Sequence, residues 1–178
     1  MLKKNSVLKF EIISTIMIMI LGTILHFEYD WTNNNVIVGI FSPVNESVWE
    51  HLKLLFYPML LMLIIGNFCE GKNVPRYLCA KTLGIIVAIS FTVIFFYTYS
   101  GIIGKNFAPI DIGSFFVAVI LGQYVSYKKM KLNINCNKFL AISTLVSITI
   151  FFTIFTFHTP HINIFKDPIT NMYGIEKQ

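Results

Sequence analysis

The chain has 178 residues, of which 55% are hydrophobic and only 13% charged, and its mean hydropathy is +0.68. Soluble domains run nearer 45–50% apolar by a similar count and about 25% charged, so this composition excludes an ordinary water-soluble domain and leaves room for a single membrane domain over 1–178. The net charge of +5 comes from short basic runs between apolar stretches, not from a groove or one helix face, which argues against a nucleic-acid surface and marks those residues as topology signals.

Five stretches approach the ~20 residues that a bilayer crossing requires, which predicts an all-α integral membrane bundle of about five transmembrane helices. The first span, 10–27, carries His26 at its end. It is expected to be retained: no small-residue cleavage site follows it, only Glu28, Tyr29 and Asp30. The connection Glu28 to Ser42 holds Tyr29 and Trp31, suited to a membrane interface, and an apolar run from Val36 to Phe41 too short to span. That run is expected to dip into the bilayer edge or to cap the bundle. The second span, 43–68, is expected to start as a helix at Pro43 with Ser42 as its N-cap. Pro58 would free the Leu54 carbonyl and bend this span, for packing or to open a cavity. The third span is 82–99. The fourth, 110–127, opens after Pro109 with Asp111, and the fifth, 139–157, closes on His158, Thr159, Pro160 and His161.

Orientation follows from the basic residues. Lys3, Lys4 and Lys9, then Lys72, Arg76 and Lys81, then Lys128, Lys129, Lys131 and Lys138 occupy alternate connections and make ten of the fourteen Lys and Arg. The positive-inside rule places them in the cytoplasm, with the N-terminus inside and the C-terminus outside. The other face then collects all four histidines and seven of the nine acids: Glu28, Asp30, Glu46, Glu50, Asp111, Asp167 and Glu176. Cys69, Cys79 and Cys136 fall on the cytoplasmic side, lack metal-finger spacing and are expected to form no disulfide.

The densest local signal is Glu46, Ser47, Glu50, His51 and Lys53. On a helix starting at Pro43, Glu46 and Glu50 share a face, Ser47 and His51 share the next, and Lys53 can pair with Glu50. Capping and the macrodipole explain acids in a first turn. Two carboxylates, a Ser and a His on one arc exceed that need. Four spans thus deliver a His or a carboxylate to one bilayer level, and these are ligand types that zinc prefers. His51, His158 and His161 are the first choice of ligands, with His26 and Asp111 as alternates; Pro160 leaves the relative geometry of His158 and His161 open. Glu46 or Glu50 would act as general base, and Ser47 would hydrogen-bond the metal-bound water or an oxyanion. Gly22, Gly84, Gly113 and Gly122 are expected to let helices approach closely within the monomer. No P-loop, His-Glu-x-x-His or Gly-x-Ser-x-Gly motif is present.

The run Pro43 to Lys53, with His26 before it and Asp111 and the His158-to-Gly174 tail after it, resembles an uncharacterised family of small bacterial multi-pass membrane proteins over nearly the whole chain. A fainter resemblance is to the alkaline ceramidase and adiponectin-receptor-type membrane hydrolases. In those, a Ser and a His four apart, a later Asp and a final His pair surround a zinc; Ser47, His51, Asp111 and His158 with His161 would stand in these places. The last pair is spaced by three here and by four there, and the spans number about five against seven. That resemblance implies a zinc-dependent hydrolase of lipid amides or esters, working in a lipid bilayer on a lipid substrate. Two other functions stay open: a non-catalytic sensing or assembly protein with a polar cap, and a small transporter or transporter subunit.

Overall fold

In hydrocarbon every backbone N–H and C=O must be satisfied within the protein, and long apolar segments therefore become helices. A computed structural model of the chain describes residues 4–69, 74, 76–132 and 135–175; Lys3, Lys72 and Glu176 lie outside the described residues. The helices are α1 (Lys4–Trp31), α2 (Val48–His51), α3 (Lys53–Cys69), α4 (Tyr77–Ile103), α5 (Ala108–Lys131) and α6 (Lys138–Phe157). Short 3-10 turns lie at Val38–Ile40 and Asn163–Phe165. Among the described residues there is no strand, only an isolated bridge between Lys166 and Tyr173. Five segments are long and apolar enough to cross a membrane, with α2 and α3 forming one of them, so the chain is a multi-pass membrane protein. At 28 and 27 residues, α1 and α4 outrun their apolar stretches. At 1.5 Å per residue each is about 40 Å long, enough to cross the headgroup regions too.

The α2–α3 span is central: 56% of its most apolar stretch is buried, against 22–33% in the other four. Phe56 and Met59 meet Ile18 of α1, Ile85 and Ala88 of α4, Val119 of α5 and Phe152 of α6 in one core. The outer helices turn Ile12, Ile94, Ile120 and Phe139 outward, as lipid-facing positions require. Gly84 and Gly122 meet back to back: a Cβ on Gly84 would stand 2.5 Å from the Gly122 carbonyl oxygen, and one on Gly122 would stand 2.7 Å from that of Gly84. The expected close approach is therefore α4 on α5. Gly113 touches nothing and has no such role.

Three expectations are corrected here. The second span does not begin at Pro43, because Ser42 is buried and committed elsewhere; its hydroxyl donates to the Leu25 carbonyl at 2.5 Å and accepts from the Tyr29 N–H at 3.2 Å. Residues 41–47 form an irregular loop, and Ser47 is the N-cap, accepting from the Glu50 N–H at 3.3 Å. Lys81 is not a connection residue. It lies inside α4, where its ammonium donates to Glu11 Oε2 of α1 at 2.6 Å and to Gln123 Oε1 of α5 at 2.7 Å, all three side chains buried. Cys79 and Cys136 form a disulfide, with Cα atoms 5.7 Å apart. Their separation by 57 residues hides the fact that the start of α4 and the approach to α6 share one end of the bundle. Cys69 is free and exposed.

Candidate metal centre and its cavity

The site grows from a buried lysine. Lys53 follows α2 after the single residue Leu52 and is fully buried. An ammonium in an apolar interior must find acceptors, and its Nζ donates to the Gly39 carbonyl at 2.7 Å, to the Ser42 carbonyl at 3.4 Å and to Glu50 Oε2 at 2.5 Å. Glu50 is spent in the same network: Oε2 also accepts from the Val44 N–H at 3.1 Å, and the Thr156 hydroxyl of α6 reaches Oε1 at 3.2 Å. The 3-10 turn Val38–Ile40 is thereby tied to Lys53 through the Gly39 carbonyl, with Gly39 buried.

This scaffold leaves Glu46 and His51 facing one another. His51 Nδ1 lies 3.0 Å from the Ser47 carbonyl oxygen. A carbonyl only accepts, so Nδ1 carries a proton and donates, which directs the Nε2 of a neutral ring at Glu46 Oε2, 3.4 Å away. An imidazole lone pair facing a carboxylate needs a cation between them, either a proton on Nε2 or a metal. A backbone acceptor behind the ring is also the usual support of a histidine ligand. His26 of α1 joins from the other side, its ring centroid 5.2 Å from that of His51, and its Nδ1 is buried without a hydrogen-bond partner. One ligand atom from each of His26, Glu46 and His51 falls within 4.8 Å of the others, a spacing three donors around one ion can adopt.

The three residues line a mostly apolar cavity of about 310 Å³. Asp111 lines it too, held at the start of α5 by the Tyr99 hydroxyl and, at 3.2 Å, by the Asn106 amide. Gly22 forms part of the wall. The Leu54 carbonyl, whose helical donor Pro58 removes, packs against it; a Cβ on Gly22 would stand 2.7 Å from that oxygen.

The structure brings together only part of the expected site. His26, Glu46, His51 and Asp111 share the cavity. His158 and His161 do not join them: His158 is the C-cap of α6, and His161 stacks on Tyr173 at 4.7 Å, because the chain leaves the helix at Phe157. Ser47 and Glu50, expected in catalytic roles, are buried away from the cavity as cap and scaffold. Glu46 and Glu50 share no helix face, since Glu46 precedes the helix. Two features had no place in the expected site: Thr156 beneath Glu50, and Asp167, which accepts from the Glu46 N–H at 3.1 Å. An intramembrane ionisable residue is itself the signal that could have found the Glu11–Lys81 pair, since each needs a buried partner.

With this geometry established, the chain belongs to a family of unknown function (DUF6512), whose model matches residues 1–175. No curated protein and no solved structure matches the chain. These findings extend to the family and not to the membrane hydrolases.

Proposed function

We propose that this membrane protein holds a divalent cation of the zinc type on His26, His51 and Glu46 and uses it to hydrolyse an amide or ester bond of a lipid. The single observation behind this reading is the pairing of His51 Nε2 with Glu46 Oε2, with one ring nitrogen of His26 within 4.8 Å of a ligand atom of each, at the wall of an apolar cavity. Two histidines and a carboxylate are a familiar donor set for a hydrolytic zinc, which supplies a water of lowered pKa and polarises a carbonyl. Glu46 then serves as a ligand instead of a base. Asp111, oriented by Tyr99 and Asn106, is the remaining carboxylate on the cavity and takes the base role: it accepts a proton from the attacking water and returns it to the leaving oxygen or nitrogen, giving a fatty acid and an alcohol or amine. The apolar wall from Leu54, Leu55, Phe115 and Phe116 suits an acyl chain. The lysine-rich connections support a location in the cell membrane with the cavity on the extracytoplasmic face, whereas the Cys79–Cys136 disulfide at the lysine-rich end favours the opposite orientation.

The transporter reading gains little. Ile18, Met59, Ala88, Ala118 and Val119, at most 3% exposed, belong to one apolar core, whereas a transport path would need polar groups along it. The polar-cap reading has the Lys53–Glu50 network in its favour, which holds the Val38–Ile40 turn without any metal. Zinc-loaded protein in detergent, given synthetic lipid esters and amides and followed by mass spectrometry, is expected to release free fatty acid. Asp111→Asn should slow that release by about 10²–10⁴-fold, and His51→Ala should abolish it. Release no faster from the zinc-loaded parent than from His51→Ala would refute the hydrolase reading.

A further inference from the structure

The C-terminal tail beyond α6 takes no part in the reaction proposed above, yet it is built around the site. Glu46 lies in the irregular loop 41–47, so no helix fixes its backbone. Its peptide N–H instead donates to Asp167 Oδ2 at 3.1 Å, across 121 residues of sequence. Asp167 is only 3% exposed, and its other oxygen accepts from the N–H groups of Ile169 at 2.7 Å and Thr170 at 3.1 Å. One carboxylate therefore folds its own turn with Oδ1 and grips the Glu46 loop with Oδ2. A second clasp stands beside it: the Asn45 amide donates to the Gly174 carbonyl at 2.9 Å. Phe165 locks the tail from below, its ring centroid 4.8 Å from that of Trp49 on α2. Pro168 and Ile169, next to Asp167, line the cavity itself.

We infer that Asp167 is a positioning residue of the metal site: by holding the Glu46 N–H it aims the Glu46 carboxylate at His51 Nε2, and the C-terminal tail is thereby part of the centre. This rests on the metal reading of His26, Glu46 and His51. It also assigns a distinct consequence to each Asp167 oxygen. Asp167→Asn can keep its amide oxygen on Ile169 and Thr170, and it then turns an NH₂ toward the Glu46 N–H, where two donors cannot bond. The local turn survives while the grip on Glu46 is lost.

The test is metal affinity in the full-length protein, read by zinc competition and by the visible spectrum of the cobalt-loaded form. Asp167→Asn is expected to bind about 10–100-fold more weakly, the usual cost of losing a residue that orients a ligand. Its cobalt spectrum should shift as the carboxylate leaves the coordination sphere, while the metal-free melting temperature stays close to that of the parent. Combined with Glu46→Gln it should add no further loss, because both changes remove the same ligand. Asn45→Ala, which opens the second clasp together with the bond that Asn45 Oδ1 accepts from the Ser47 N–H at 2.9 Å, should weaken binding by a few-fold and keeps the inference testable if Asp167→Asn does not fold. Parental affinity and spectrum in both variants would overturn the positioning role, as would losses from Asp167→Asn and Glu46→Gln that simply add. A parent that takes up neither zinc nor cobalt would instead overturn the metal site on which the inference stands.

Discussion

The two ends of this bundle each bury a Lys–Glu pair, and they use it differently. Lys81 and Glu11 sit 70 residues apart and staple α4 to α1, with Gln123 of α5 as third partner. Ionisable groups at that end satisfy one another, although Ser14 Oγ remains without a hydrogen-bond partner. Lys53 and Glu50 are three residues apart, and their partners are loop carbonyls, a loop N–H and Thr156. The first pair ties helices together. The second organises a loop, and in doing so leaves His26, Glu46, His51 and Asp111 free of it on a cavity. Burial of charge therefore does not mark the candidate site, which is drawn from ionisable groups that the buried pairs do not use.

The contrast is broken most strongly by Lys53→Met. It leaves Glu50 buried and charged without its cation, which costs about 3–5 kcal/mol, and it releases the loop that carries Glu46. Chemical or thermal unfolding in detergent should report the loss in stability, and zinc uptake should fall with it. Replacing both members sharpens the comparison. Glu11→Leu with Lys81→Met strands a single group, the Gln123 Oε1 that Lys81 served, and should return stability to within about 1–3 kcal/mol of the parent with zinc uptake intact. Glu50→Leu with Lys53→Met still strands the Gly39 carbonyl and the Val44 N–H, each unsatisfied group costing about 1–3 kcal/mol, so this double variant should stay impaired in both readouts. Equal recovery of the two double variants would remove the distinction. The smallest effect separates cap from catalyst at Ser47. Ser47→Ala should lower stability by about 1 kcal/mol and leave lipid hydrolysis near the parental rate, whereas a Ser47 that assisted the reaction would cost orders of magnitude in rate.

Five apolar stretches were legible as helices, because hydropathy and length carry the membrane constraint directly. So were the packing role of Gly84 and Gly122 and the pairing of Lys53 with Glu50. His26, Glu46, His51 and Asp111 were legible as residues of one face; the proposal keeps His26 and His51 as ligands and exchanges the parts read for Glu46 and Asp111. A helix start at Pro43 puts Glu46 and Glu50 on one arc, and tertiary commitments of the loop delay the helix to Val48: those of Ser42 to Leu25 and Tyr29, of the Val44 N–H to Glu50 and of the Glu46 N–H to Asp167. His158 and His161 looked like a ligand pair from spacing alone, and the break at Phe157 sends them elsewhere. Asp167 and the Cys79–Cys136 disulfide depend on contacts across 121 and 57 residues, which a local pattern does not carry.

Zinc stoichiometry in the detergent-purified protein, measured by elemental analysis beside His26→Ala, His51→Ala and a His158→Ala/His161→Ala double variant, tests the central claim most directly. The account predicts close to one zinc per chain in the parent and in the double variant, and little in either cavity variant. Zinc lost from the double variant and kept by His26→Ala, or no zinc in any folded protein after loading, would contradict it.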